Sequence, residues 1–135
     1  MLQFYFLSIA LNGLAGYLLF YGSKGDVLEF KCGFSLKDET FRFLVGILSM
    51  ITGLFKILSP IEGDVPVIGD IVPAATGLLC GFVLVFEYYK TSSSQAAPDH
   101  AERIGKVLVA QKKLLGMAAF AAAALHFLFP RVLLL

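Results

Sequence analysis

Residues 41–58, FRFLVGILSMITGLFKIL, decide the fold. The stretch carries only two charges, Arg42 and Lys56, one near each end, and Ser59 and Pro60 follow it directly. A helix needs about 20 apolar residues to cross the hydrocarbon core of a bilayer, with roughly 17 as the lower limit. We therefore predict that residues 41–58 form a membrane-spanning helix.

Three more stretches satisfy the same criterion, so that the predicted spans are about 2–22, 41–58, 71–89 and 107–129. The last helix is expected to begin earlier, near His100 or Glu102, because its apolar spacing continues upstream of Val107. The whole chain is 58% hydrophobic and 16% charged, with a mean hydropathy of +0.81, whereas about a quarter of the residues of a soluble domain are charged. We predict one all-α domain over residues 1–135, an integral membrane four-helix bundle with up-down topology.

The basic residues give this bundle an orientation. Nine of the eleven Lys and Arg residues lie in segments 23–42 and 90–113, and only Lys56 and Arg131 lie on the opposite side. Short loops rich in Lys and Arg stay in the cytoplasm. We therefore place loops 23–40 and 90–106 in the cytoplasm, and loop 59–70 and both termini outside it, in a bacterial inner or cell membrane.

The first cytoplasmic loop has a pattern of its own. In residues 26–36, DVLEFKCGFSL, apolar residues alternate with Glu29 and Lys31, which indicates a short strand or an amphipathic segment. A plain loop with anchoring aromatic residues fits the pattern equally well. Cys32 and Cys80 form no CxxC pair, so neither a disulfide nor a metal site is expected.

Small residues recur at helical spacing in two of the spans. In the second span Arg42, Gly46, Ser49, Gly53 and Lys56 follow one another at intervals of four, three, four and three, which places them on one face. The third span carries a GxxxG pair, Gly77 and Gly81, a spacing that allows the backbones of membrane helices to approach closely. We predict that these two helices pack antiparallel along their small residues, with Gly53 level with Gly77.

Charged and polar side chains lie on the same faces. Arg42 and Glu87 are predicted to form an ion pair at the cytoplasmic end, because ionisable groups in spans are costly and tend to be paired. Lys56, Asp70 and His126 would form an outer polar cluster. That cluster is either a proton- or cation-linked site, or an interfacial histidine beside acids that solvate a loop. Asn12, near mid-membrane, either contacts a solute or bonds to a neighbouring helix.

The sequence favours two classes of function. It contains no catalytic triad, metal-ligand cluster, phosphate loop or cofactor motif, so an enzyme is not expected, and the net charge of +1 gives no reason to expect nucleic acid. Arg42, Gly46, Gly53 and Lys56 resemble a pattern of DoxX-like four-span proteins, but no second motif joins them and no family is assigned. The expected function is an accessory, scaffolding or assembly component of a membrane complex, bound to the lipid bilayer and a membrane-protein partner. The alternative is a small-solute or ion carrier or channel, a homo-oligomer lined by Asn12, Lys56 and His126.

Overall fold

The computed structural model describes residues 2–22, 29–30, 34–58, 71–92 and 98–129. Within them the chain is helical apart from one pair of two-residue strands, β1 (Glu29–Phe30) and β2 (Phe34–Ser35), which pair antiparallel with Phe30 opposite Phe34. The helices are α1 (Leu2–Tyr21), α2 (Glu39–Leu58), α3 (Ile71–Ser92), α4 (Asp99–Ala110) and α5 (Lys112–Leu128). The predicted all-α class is confirmed. Of segment 26–36, the structure describes 29–30 and 34–36, which contain the strand pair.

Two of these helices, α2 and α3, are long and apolar enough to cross a membrane. Helices α4 and α5 make a third candidate span if the two are counted as one. In α1 the apolar stretch Tyr5–Tyr21 is shorter than these candidate spans. Helix α2 begins two residues before the predicted span and ends with it, and α3 continues three residues past the predicted end.

The fourth predicted span differs from the structure, because the chain bends by 72° between α4 and α5. The backbone N–H of Gln111 donates to the carbonyl oxygens of both Val107 and Leu108, which closes α4 in a tight turn before α5 begins. Gly105 of α4 lies against the ring of Phe86 in α3, so closely that a Cβ at this position would collide with the ring. Packing of α4 against α3 therefore replaces the straight helix that the apolar spacing predicts.

The hydrophobic core is shared by α1, α2, α3 and α5. The most extensive helix contacts are those of α2 with α3 and of α1 with α5. The core consists of small and branched residues whose side chains are buried between the helices: Ala15, Leu18, Leu19, Leu36, Val45, Cys80, Val83, Leu84 and Ala119. This core joins the two helix pairs.

The small residues of α2 and α3 lie where the two backbones approach each other most closely. A Cβ on Gly46 would lie 2.9 Å from the carbonyl oxygen of Gly81, and a Cβ on Gly77 would lie 3.2 Å from that of Ser49. A Cβ on Gly53 would lie 2.8 Å from the carbonyl oxygen of Ala74 and 3.2 Å from the backbone nitrogen of Leu78. These two atoms lie on either side of Gly77 in α3, in agreement with the predicted level of Gly53 and Gly77.

Large apolar side chains are on the outer surface of these helices. In α2 the buried residues are small or polar, and the exposed ones are Leu44, Leu48, Ile51, Leu54, Phe55 and Leu58. In α5 the buried residues are Gly116, Ala119, Ala122, Ala123 and His126, whereas the exposed ones include Leu114, Met117, Phe120, Leu125, Phe127 and Leu128. This distribution is the reverse of that in a water-soluble helix, which turns its large apolar face inward.

Candidate functional site

The first polar group, the Lys56 cluster, consists of Lys56, His126 and Tyr5. Lys56 is in the last turn of α2, His126 in the last turn of α5 and Tyr5 in the first turn of α1, so the cluster joins three helix ends. The Lys56 Nζ lies 2.7 Å from the His126 Nε2, and the two residues are only 7% and 1% exposed. The Tyr5 hydroxyl donates to the carbonyl oxygen of His126, and the ammonium of Lys56 lies 5.7 Å from the centre of the Tyr5 ring.

The short distance between the two nitrogens defines the chemistry of the Lys56 cluster. A lysine ammonium only donates hydrogen bonds, so the imidazole accepts at Nε2 and is neutral when the lysine is charged. The two nitrogens therefore share one proton at this contact. Of the predicted outer cluster, the structure brings Lys56 and His126 together, and Asp70 lies outside the described residues.

A second polar group, the Asn12 network, connects α1 with α3. The Asn12 side-chain amide donates to the carbonyl oxygen of Pro73 at 3.0 Å and to the Ser8 hydroxyl at 3.4 Å. The Thr76 hydroxyl lies 3.1 Å from the Asn12 side-chain oxygen. Of the two predicted roles of Asn12, a solute contact or a bond to a neighbouring helix, the structure shows the second.

Ser49 lies beside the Asn12 network, but its hydroxyl group is in a different environment. Its side chain is buried in the seam of α2 and α3, and its hydroxyl has no hydrogen-bond partner among the residues that the structure describes. A buried hydroxyl without a partner is unfavourable relative to its hydrated state. Ser49 is therefore explained by its small size, which the close backbone approach requires, and not by its polarity.

The third polar group, the Glu87 cluster, lies at the opposite end of the helices. One oxygen of Glu87 is 2.5 Å from the Arg42 Nη2, and the other is 2.8 Å from the Lys112 Nζ. The three side chains are 16%, 22% and 26% exposed for Arg42, Glu87 and Lys112. A single carboxylate thus connects α2, α3 and α5, and the cluster retains one positive charge.

Sequence reasoning predicted the Arg42–Glu87 contact but not the contact of Lys112 with Glu87. The position of Lys112 could have indicated it. Lys112, Gly116, Ala119, Ala123 and His126 share one face of α5, and the last four are buried. A basic residue at the end of a buried stripe requires an anionic partner. Tyr5 and Thr76 were also missed, since a single Tyr or Thr in a span has no distinctive spacing.

An apolar layer separates the Glu87 cluster from the other two groups. Along α1, Leu18 and Leu19 follow Asn12, and along α3, Val83 and Leu84 lie between Thr76 and Glu87; all four side chains are buried. Within the described ranges, no group of three or more His, Cys, Asp or Glu residues could hold a metal ion. The interior therefore has a polar cluster at each end, with the Asn12 network and the apolar layer between them.

Comparison with known proteins places the chain among relatives. The model of a family of unknown function matches residues 1–126. An uncharacterised protein of Treponema pallidum (strain Nichols) is 36% identical over 135 residues, the full length of both chains. The chain belongs to this family. No solved structure matches it.

Proposed function

We propose that the chain is a multi-pass membrane protein that acts as an accessory, scaffolding or assembly component of a larger membrane complex. In this proposal α1, α2, α3 and the bent pair α4–α5 form an up-down four-helix bundle. The distribution of side chains supports membrane insertion, because the large apolar residues of α2 and α5 face outward and the small and polar ones face inward. Lipid accepts such a surface, whereas water does not.

Helix α4 supports the orientation with both termini outside the cytoplasm. Its exposed side chains include the basic Arg103 and Lys106 and the apolar Ile104 and Val107. An amphipathic helix of this composition, set at 72° to α5, suits the plane of a membrane interface. The basic residues of α4, with Lys112 and Lys113 beside it, then lie at the cytoplasmic surface, in agreement with the positive-inside rule.

The apolar layer is the observation that favours an accessory role. Leu18, Leu19, Val83 and Leu84 fill the space between the two polar ends, and Asn12 uses its amide to hold α1 on α3. A chain with this interior offers its outer faces and its basic end for interaction. Those surfaces suit contact with a membrane-protein partner.

The Lys56 cluster supports a second candidate, a small carrier or channel that works as a homo-oligomer. A lysine and a histidine buried together in a span are expensive, and ionisable groups there mark ion or proton pathways by default. The two nitrogens at 2.7 Å could pass a proton between them. Passage across the membrane would also require an opening in the apolar layer.

One purification distinguishes the two candidates. The full chain is extracted from its native membrane in a mild detergent through a small affinity tag, and the stoichiometry of the purified material is measured. An accessory role predicts a foreign membrane protein at a fixed ratio, retained after a second purification step. A pure homo-oligomer that conducts ions or protons in liposomes, and loses this flux on Lys56→Met, would support the carrier and contradict the proposal.

A further inference from the structure

A cavity of about 350 Å³ opens at the Glu87 cluster, and most of its lining residues are polar or charged. We call it the basic cavity. Four of its lining residues are basic, Lys37, Arg42, Lys90 and Lys112, and two are acidic, Glu39 and Glu87. Four positive charges against two negative ones leave an excess of two. Glu87, the partly buried carboxylate in this cavity, already holds two cations.

Helix ends of both polarities surround the basic cavity, because Gly22 and Lys90 line it at the C-terminal ends of α1 and α3. Its excess of positive charge therefore comes from the side chains. Glu39 and Lys112, which both line it, are the first residues of α2 and α5. The N-terminal end of a helix carries a partial positive charge, so an anion is stabilised there and a cation is not. Lys112 and Lys113 nevertheless occupy the first turn of α5. Glu87 offsets part of this unfavourable arrangement, and an external anion would offset the rest.

An apolar groove lies one helical turn from the basic cavity. Lys112 lines the cavity, and Gly116, four residues further along the same face of α5, lines the groove between α1 and α5. The groove has a volume of about 430 Å³, and Tyr17, Phe20, Met117 and Phe120 form most of its wall. On α1, Tyr21 lines the groove, and the next residue, Gly22, lines the cavity at the end of the helix. A basic cavity beside an apolar groove matches a molecule with an anionic head and a hydrocarbon tail.

We propose that the basic cavity binds the phosphate headgroup of an anionic phospholipid, with one acyl chain in the groove between α1 and α5. Basic pockets between membrane helices on the cytoplasmic side are suited to phospholipid headgroups. The phosphate lies beside Arg42, Lys112 and Lys90 and acts as a second anion next to the Glu87 carboxylate. This inference rests on the membrane placement proposed above, because it needs the cavity to lie at the level of the headgroups.

The test uses the full chain purified in a neutral detergent. Its thermal unfolding midpoint is measured after addition of phosphatidylglycerol, phosphatidylcholine or inorganic phosphate. Phosphatidylglycerol at tenfold its dissociation constant should raise the midpoint by about 5 °C, and phosphatidylcholine should leave it unchanged. An equal rise with phosphatidylcholine, or with inorganic phosphate alone, would overturn the assignment of an anionic lipid.

Two pairs of variants locate the site. Lys90→Gln should remove at least half of the rise produced by phosphatidylglycerol, whereas Lys113→Gln, an exposed lysine that does not line the cavity, should remove none. Ala121→Phe fills the groove and should weaken lipid binding, whereas Ala124→Phe, exposed and outside the groove lining, should not. Equal effects within either pair would contradict the proposed site.

A separate measurement keeps the two proposals distinguishable. Native membranes are washed with alkaline carbonate, and the chain is followed by immunoblot. Release into the soluble fraction would refute membrane insertion, and the lipid site with it. Retention in the membrane together with no response to phosphatidylglycerol would refute the lipid site alone.

Discussion

Glu87→Gln is the substitution that tests the geometry of the charged end most directly. Glu87 is the common partner of Arg42 and Lys112, at 2.5 and 2.8 Å, and all three side chains are about three quarters buried or more. The change leaves two cations close together without their carboxylate. Removing one partner of a fully buried ion pair costs about 3–5 kcal/mol, and an exposed pair is worth about 0–1 kcal/mol. For this intermediate burial we expect a loss of about 2–3 kcal/mol in the free energy of unfolding.

The same geometry predicts an order among the three variants. Lys112→Gln leaves Glu87 paired with Arg42 and should cost about 1 kcal/mol. In the double variant that combines Glu87→Gln with Lys112→Gln, the loss of stability should be smaller than the sum of the two single losses, by a coupling energy of about 1 kcal/mol. Unfolding by sodium dodecyl sulfate in mixed micelles, followed by far-ultraviolet circular dichroism, measures all three values.

Glu102→Gln is the matched control for these variants. Glu102 pairs with Lys106 four residues later on α4, and both side chains are more exposed than those of the Glu87 cluster. The pKa of Glu102 is lowered by the hydrogen bond from Lys106 and by its charge, but the exposed pair should contribute little to stability. A Glu87→Gln loss no larger than that of the control, or strictly additive losses for Glu87 and Lys112, would refute the shared carboxylate.

Three further predictions concern the packing. Gly81→Leu should cost about 3 kcal/mol or more, because a Cβ there meets backbone of α2, whereas the exposed Ala75→Leu on the same helix should cost little; equal melting temperatures for the two variants would contradict the seam. Ser49→Ala should be neutral or stabilising by up to about 1 kcal/mol, since it removes an unpaired buried hydroxyl. Asn12→Ala should cost about 1–3 kcal/mol, because it leaves the hydrogen-bond partners of Asn12 unpaired. A larger loss of stability for Ser49→Ala than for Asn12→Ala would contradict the placement of these two side chains. Gly105→Leu should detach α4 from α3 and raise amide hydrogen exchange in residues 99–110 without changing exchange in α2; unchanged exchange in α4 would show that the docking does not depend on the glycine.

Spacing in the sequence predicted which faces meet and the approximate level at which they meet, and tertiary packing determined where the chain bends. Arg42, Gly46, Ser49, Gly53 and Lys56 lie on one face by helical geometry alone, and the structure places all five inward or partly inward. The antiparallel arrangement predicts Gly53 level with Gly77, and a Cβ on Gly53 would lie 3.2 Å from the backbone nitrogen of Leu78. The bend at Gln111 has no local signal, because glutamine is a good helix former. The bend accompanies the contact of Gly105 with Phe86, a residue nearly twenty positions upstream.

If α2 spans a bilayer as proposed above, its two cations constrain the depth at which it can lie. Lys56 lies fourteen positions after Arg42, which corresponds to about 21 Å along a helix. The hydrocarbon core is about 30 Å thick, so a helix centred on Ser49 would place each cation about 4–5 Å inside a boundary, where the cost of a charge is lower than at the centre. A shift in either direction would move one of the cations toward the centre.

The arrangement of helix pairs also restricts any transport mechanism. Helix α2 packs most extensively with α3, and α1 packs most extensively with α5. Lys56 of α2 contacts His126 of α5, and Glu87 of α3 holds Lys112 of α5 as well as Arg42 of α2. Both polar ends therefore bridge the same boundary, between the α2–α3 pair and the α1–α5 pair. The apolar layer crosses it too, with Leu18 and Leu19 on one side and Val83 and Leu84 on the other. If one copy of the chain moves a solute or a proton, this boundary must open, which breaks the Lys56–His126 contact at one end and the link through Glu87 at the other.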